Sequence, residues 1–134
     1  MEISVNKFIP GPFENETMDL FKTIDDVTYA TIQGRNFNIN GSKLKDFINR
    51  IFYETYNAFL PKDKLVEIIN NCDTFARLFG EVKPVFRRIG RTQEAVYIDL
   101  GTAGFDVIEI TSQSVQLIND PPVKFIRSRI QLPI

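Results

Sequence analysis

The sequence predicts an α+β fold: an N-terminal β-hairpin or meander, a two- to three-helix unit of helix-turn-helix-like layout, and a C-terminal antiparallel β-meander. Three observations carry this prediction. Short β-rich runs divided by turn signals come early, an apolar period of 3.6 takes over near Ser42, and from Val82 onward the period is two.

The first dozen residues, with Pro10, Gly11 and Pro12, read as a loose arm, so residues 1–18 are expected to be a flexible arm and residues 19–134 a single α+β accessory domain. At 134 residues and 43% hydrophobic content the chain has material for one core. "DLFKTIDDVTYATIQGRNFNIN" supplies three strands over 19–23, 27–32 and 36–40, divided by "IDD" and "QGR". In the next stretch Leu44, Phe47, Ile48, Ile51, Phe52, Tyr56 and Phe59 share one helical face, which makes all of them, Phe59 included, expected core. Ser42 is the expected N-cap. Pro61 ends this helix and opens a second, where Leu65, Ile68, Ile69 and Cys72 continue the pattern. "DTFARLFG" adds a short third piece, with Asp73 as N-cap and Gly80 as stop. Beyond it, "KPVFRRI", "AVYIDL", "DVIEIT", "SVQLI" and "VKFIRS" are five strands whose short links exclude parallel crossovers.

Composition removes several function classes. The chain has no histidine, the commonest general base and nitrogen ligand, and its one cysteine excludes paired-cysteine zinc sites. Cys72 on an apolar helix face reads as a small core residue. No apolar run is long enough for a membrane span and the start lacks a secretory layout, so a cytoplasmic protein with no membrane partner is expected. "GRNFNINGSK" lacks the lysine that must follow the second glycine of a phosphate-binding loop. Asp99, Asp106 and Glu109 bracket a glycine-containing loop and would serve a metal-dependent phosphoryl-transfer enzyme if they converged. Their apolar neighbours on either side favour the solvent face of amphipathic strands instead. No catalytic residue, metal site or cofactor is therefore expected.

The net charge of −1 gives no overall attraction to nucleic acid, but the positive excess lies C-terminally, with seven basic against five acidic side chains over 83–134. Candidate phosphate contacts are Lys43, Lys45 and Arg50 on the polar side of the first helix, Arg87, Arg88 and Arg91 in "FRRIGR", and Lys124, Arg127 and Arg129 in "KFIRSR".

The order of segments adds a family resemblance. "VTYATI", then "FNINGSKLKDFINRIFYETYNAFLPKDKLVEIINN", then "VYIDLG", "FDVIEIT" and "VQLINDPPVKFIRSRIQLPI" resembles the region just before the P-loop ATPase domain in primase-helicases of phages, plasmids and integrated elements. The likeness spans residues 19–134 and is most specific at "YIDLG", "VIEIT" and "NDPPVKFIRS". Phe105 and Ser114 stand where that family usually has tryptophan. The resemblance implies a non-catalytic accessory module of a mobile-element DNA replication protein. Such a module would bind single- or double-stranded DNA without base preference, or couple to a helicase ATPase or primase domain in cis or in trans. A protein-interaction module without a nucleic-acid role is the alternative.

Overall fold

The computed structural model describes residues 2–127. It confirms the α+β class, and divides the chain into two compact units, Met1–Lys83 and Pro84–Ile134, where one domain was expected.

The first unit holds β1 (Glu2–Ser4), a 3-10 turn (Val5–Lys7), β2 (Thr17–Lys22), β3 (Thr28–Ile32), β4 (Arg35–Asn38), α1 (Ser42–Tyr56), α2 (Lys62–Phe79) and β5 (Glu81–Val82). Its sheet runs β1-β2-β3-β4, all antiparallel, and β5 joins β2 in parallel after the two helices. The expected arm is instead part of the core. Val5, Ile9 and Phe13, each four residues apart, are buried with Met18, and β1 pairs with β2. Between β3 and β4, Gln33 (φ 52°) and Gly34 (φ 75°) make a two-residue turn with both φ positive, which matches the strand twist and closes the hairpin.

Leu44 and Ile48 from α1, and Ile68, Ile69, Cys72 and Ala76 from α2, bury the helices against Leu20, Ala30 and Ile32 of the sheet. Burying a large aliphatic side chain of this kind contributes about 1.5–3 kcal/mol. Gly41, in extended conformation, caps α1, with Ser42 as its first helical residue. The second helix runs unbroken through "DTFARLF", so Asp73 lies inside it rather than capping a third. A helical break there would expose Cys72 and Ala76, which the core holds. Gly80 does end α2, turning to extended backbone (ψ 145°), and only glycine fits there, since a Cβ would collide with the Ala76 carbonyl oxygen and sit 2.9 Å from that of Leu20.

The second unit holds β6 (Val85–Phe86), β7 (Ile89–Arg91), β8 (Ala95–Asp99), β9 (Val107–Thr111), β10 (Val115–Ile118) and β11 (Lys124–Phe125). Strands β7 to β10 form the expected antiparallel meander, in spatial order β10-β9-β8-β7. The last strand departs from expectation by pairing in parallel with β6, a partner nearly forty residues back whose long connection permits that direction. Ala95, Tyr97, Val107 and Val123 are the buried apolar residues, with Phe86, Ile118 and Phe125 packed on them. Gly90 pairs with Tyr97 on this inner face, and a Cβ there would press on Phe86 and Val123 at 3.0 Å.

Candidate nucleic-acid interface

Three exposed aromatic side chains, Tyr53, Tyr56 and Phe59, adjoin the junction of α1 and α2. Helical stacking over 42–56 puts Lys43, Asp46, Arg50 and Tyr53 along one stripe, away from the buried Leu44 and Ile48. The helix stops at Tyr56 because Asn57 turns left-handed (φ 54°) and its N–H bonds the Tyr53 carbonyl at 2.8 Å. That reversal decides the place of Phe59. Continued helical spacing would carry its ring inward, but past the αL residue the chain points it outward, 72% exposed, while Leu60 packs on the core.

Phe59 then stacks on Tyr53, ring centroids 4.7 Å apart and 28° between planes. One turn away, Phe52 and Tyr56 make a second pair at 4.7 Å. Asp46, Asn49, Arg50, Phe59, Leu60 and Lys62 line an open groove of about 500 Å³. The expectation that Phe59 and Tyr56 belong to the core is thereby corrected. Lys43 and Lys45 are exposed on α1 as expected, and Arg50 is exposed and pairs with Glu54 at 3.1 Å. Lys64 and Glu67 make a similar exposed pair at 3.5 Å. Such surface pairs contribute 0 to about 1 kcal/mol, so a phosphate competes for these cations at little cost. Lys62, Tyr53 and Phe59 lie outside the contacts expected from the sequence; "YNAFLPK" carries the signal, an Asn that can stop a helix between two aromatics.

The C-terminal cations are differently disposed. Arg87 and Arg91 are exposed and Lys124 is half-buried on β11. Arg88 and Arg127 converge on one residue, Asp99. Arg88 Nη1 donates to the Asp99 carbonyl oxygen at 3.0 Å, whereas Arg127 donates to both carboxylate oxygens and, through Nη1, to the Thr102 carbonyl oxygen at 2.6 Å. The Arg127 guanidinium also lies 4.3 Å from the centre of the Phe105 ring. Arg127 is thus an internal pairing residue, not a free strand-edge cation. Arg129 lies outside the described residues.

The expectation for Asp99 is reversed too. Ala95, Tyr97 and Asp99 are the buried members of β8, so Asp99 follows the inward alternation, and the pairing with Arg127 is what permits a carboxylate there. Asp106 accepts from Thr102 at 2.9 Å and Asn119 at 2.8 Å; Glu109 accepts from Tyr97 at 2.9 Å and Gln116 at 2.6 Å. Burial first, and the Glu109 carboxylate second, push the Tyr97 phenol above its ordinary value. Among the described residues no three acidic side chains are placed to share a metal ion.

In the first unit, Asp73 accepts bonds from Thr28 Oγ1 at 2.6 Å, Asn40 Nδ2 at 3.1 Å and Arg77 Nη2 at 2.8 Å. Burial pushes its carboxyl up, but these donors outweigh it and hold the group below the usual carboxylate range. Burial, and then the charge of Asp73, push the Cys72 thiol up to about 12, which removes it as a nucleophile near neutral pH. Among the described residues no helix is long and apolar enough to cross a membrane.

Comparison with known proteins gives no matching family model, no matching curated protein and no matching solved structure.

Proposed function

We propose that this chain is a non-catalytic module that contacts single-stranded nucleic acid, in the manner of an accessory region beside the motor of a mobile-element primase-helicase. The observation that carries the reading is the exposed Tyr53–Phe59 stack, set beside Arg50 and Lys62 on the rim of one groove. An unpaired base offers a π-face of the same kind as Phe59, and stacking on an aromatic side chain contributes about 1–3 kcal/mol per base without selecting among bases. Arg50 and Lys62, which line the same groove as Phe59, hold the backbone phosphates, which sets register without reading sequence.

The same surface also holds Asp46 and Glu54, so it lacks the uniform positive field that a rigid duplex needs. Stacking is unavailable to paired bases, and the preference is therefore for single strands. Lys43 and Lys45 extend the cationic side of α1 towards its start, where a strand leaving the groove would run. The resemblance over residues 19–134 supplies the setting, since a motor that separates strands leaves single-stranded DNA at its entrance.

Competition between a labelled oligothymidylate and unlabelled single- or double-stranded DNA tests this. The expected result is displacement by single strands at lower concentration than by duplex, with affinity falling steeply as salt rises. Absence of binding at low salt by the folded chain overturns it. So would retention of a protein partner on these aromatics in high salt without any DNA affinity.

A further inference from the structure

The β7–β10 sheet of the second unit has two faces, and only one has a core. Inward lie Gly90, Ala95, Tyr97, Val107 and Ile118, with Glu109 and Gln116 on the same face, Glu109 hydrogen-bonded to both Tyr97 and Gln116. The cross-strand register assembles the opposite face in two rows. Ile89 pairs with Ile98, Ile98 with Ile108 and Ile108 with Leu117, so four strands give one unbroken aliphatic row. Alongside it, Arg91, Val96, Ile110 and Val115 form a second row, apolar in three positions of four. An antiparallel sheet that meets water on one side ordinarily alternates apolar-in with polar-out, and this one does not. Ile89 is 56% and Leu117 63% exposed, and Val115 of the second row 71%, so none of the described residues covers these edges.

We infer that this outer face is a self-association surface, on which a second copy of the chain packs sheet against sheet. This is independent of the nucleic-acid reading, which rests on the first unit. Three features favour a second copy over another occupant. The exposures of Ile89, Ile110, Val115 and Leu117 leave on the order of 400 Å² of mostly aliphatic surface per copy, the size of a functional patch on a monomer. Two such faces together bury on the order of 800 Å², the size of a weak, concentration-dependent association. Second, the patch holds one charge, Arg91, at its corner, and no acidic group. It therefore presents neither the cationic field a nucleic acid needs nor a pattern complementary to a charged partner, whereas a flat aliphatic sheet is complementary to itself about a two-fold axis. Third, the unit's buried apolar set among the described residues is four side chains, thin for a body of about fifty residues, and units of that size commonly gain a core by association.

The test is sedimentation of the 134-residue chain over a wide concentration range, with wild type and the variants Leu117→Lys, Val115→Lys and Ile24→Lys. Both sheet positions are exposed, so their variants keep the fold, which circular dichroism verifies. The wild type is expected to show a monomer–dimer equilibrium that persists in high salt, because no ion pair holds it. Leu117→Lys and Val115→Lys should each raise the dissociation constant about tenfold or more by setting a lysine into the paired face. Ile24→Lys, at an exposed position of the first unit, should leave it unchanged. A wild-type chain that stays monomeric at the highest concentration overturns the inference, and so does a dimer equally strong in Leu117→Lys. A monomer that instead captures an unlike protein through this face overturns it as well. Oligothymidylate affinity measured on the Leu117→Lys variant is expected to match wild type per site, which keeps this outcome separate from that of the nucleic-acid reading.

Discussion

Arg127 holds Asp99 by a two-pronged ion pair, Nε to Oδ2 at 2.8 Å and Nη2 to Oδ1 at 2.5 Å, with the carboxylate buried and the guanidinium over the Phe105 ring. Gly101 N–H adds a third bond to the carboxylate at 3.1 Å. The pair ties the end of β8 to the residues after β11, so it closes the second unit across the sequence. Removing one partner leaves a buried charge uncompensated, and Arg127→Ala is expected to cost about 3–5 kcal/mol. Amide hydrogen exchange in β8 and β9 measures this locally, with protection falling by the corresponding factor. Arg127→Lys should recover little of it, because a lysine has one ammonium for a site shaped to a planar fork.

Asp73 is the matching point in the first unit. Its bonds satisfy the buried Thr28 hydroxyl, so Asp73→Ala should lower stability by about 1–3 kcal/mol at neutral pH. The pH dependence follows from the depressed carboxyl. Its contribution is fully present above the unfolded value near pH 3.9 and is lost as pH falls through the lower folded value. Urea midpoints of wild type and Asp73→Asn should therefore differ at neutral pH and converge in strong acid. A difference independent of pH would contradict the assignment.

Much of the scaffold is legible in the residues, and the exceptions have identifiable causes. The 3.6 period of Leu44, Ile48 and Ile51, the stop at Gly80 and the alternation of "AVYID" and "VIEIT" all reflect one-sided burial, which local sequence records directly. Phe59 departs from helical spacing because a single αL residue, Asn57, changes which way the following side chains point. Asp99 departs from the expected solvent face because a carboxylate at an inward position carries no local signal of its partner, Arg127, twenty-eight residues on. The buried Val5, Ile9 and Phe13 flank Pro10, Gly11 and Pro12, a loop signal that masks their burial in the sequence, and tertiary contacts order this segment. For the candidate interface, Lys43, Lys45 and Arg50 were visible as cations on a polar helix side, but the aromatics that distinguish the surface were not.

Cys72 gives a simple probe of the first unit's integrity. Buried, and with its thiol pushed up to about 12, it should resist a thiol reagent at mildly alkaline pH in the native chain. Labelling is expected at the rate of global or sub-global opening, accelerating with urea in step with unfolding. Immediate stoichiometric reaction in native buffer would contradict the packing.

Gly80 tests the close approach of α2 to the sheet. A methyl group there meets backbone on two sides, the Ala76 and Leu20 carbonyl oxygens, neither of which can swing away as a side chain would. Gly80→Ala is expected to destabilise by about 1–3 kcal/mol, read as a lowered urea midpoint.

The most direct measurement for the central proposal is the fluorescence anisotropy of a labelled oligothymidylate titrated with wild type and with Tyr53→Ala/Phe59→Ala. Both side chains are substantially exposed, 43% and 72%, so the double variant should remain folded and lose only the stacking platform. The predicted result is low-salt binding by wild type and at least about tenfold weaker binding by the variant, matching a loss of 1–3 kcal/mol per stacked base. Equal affinity of the two proteins, or no binding by wild type, would contradict it.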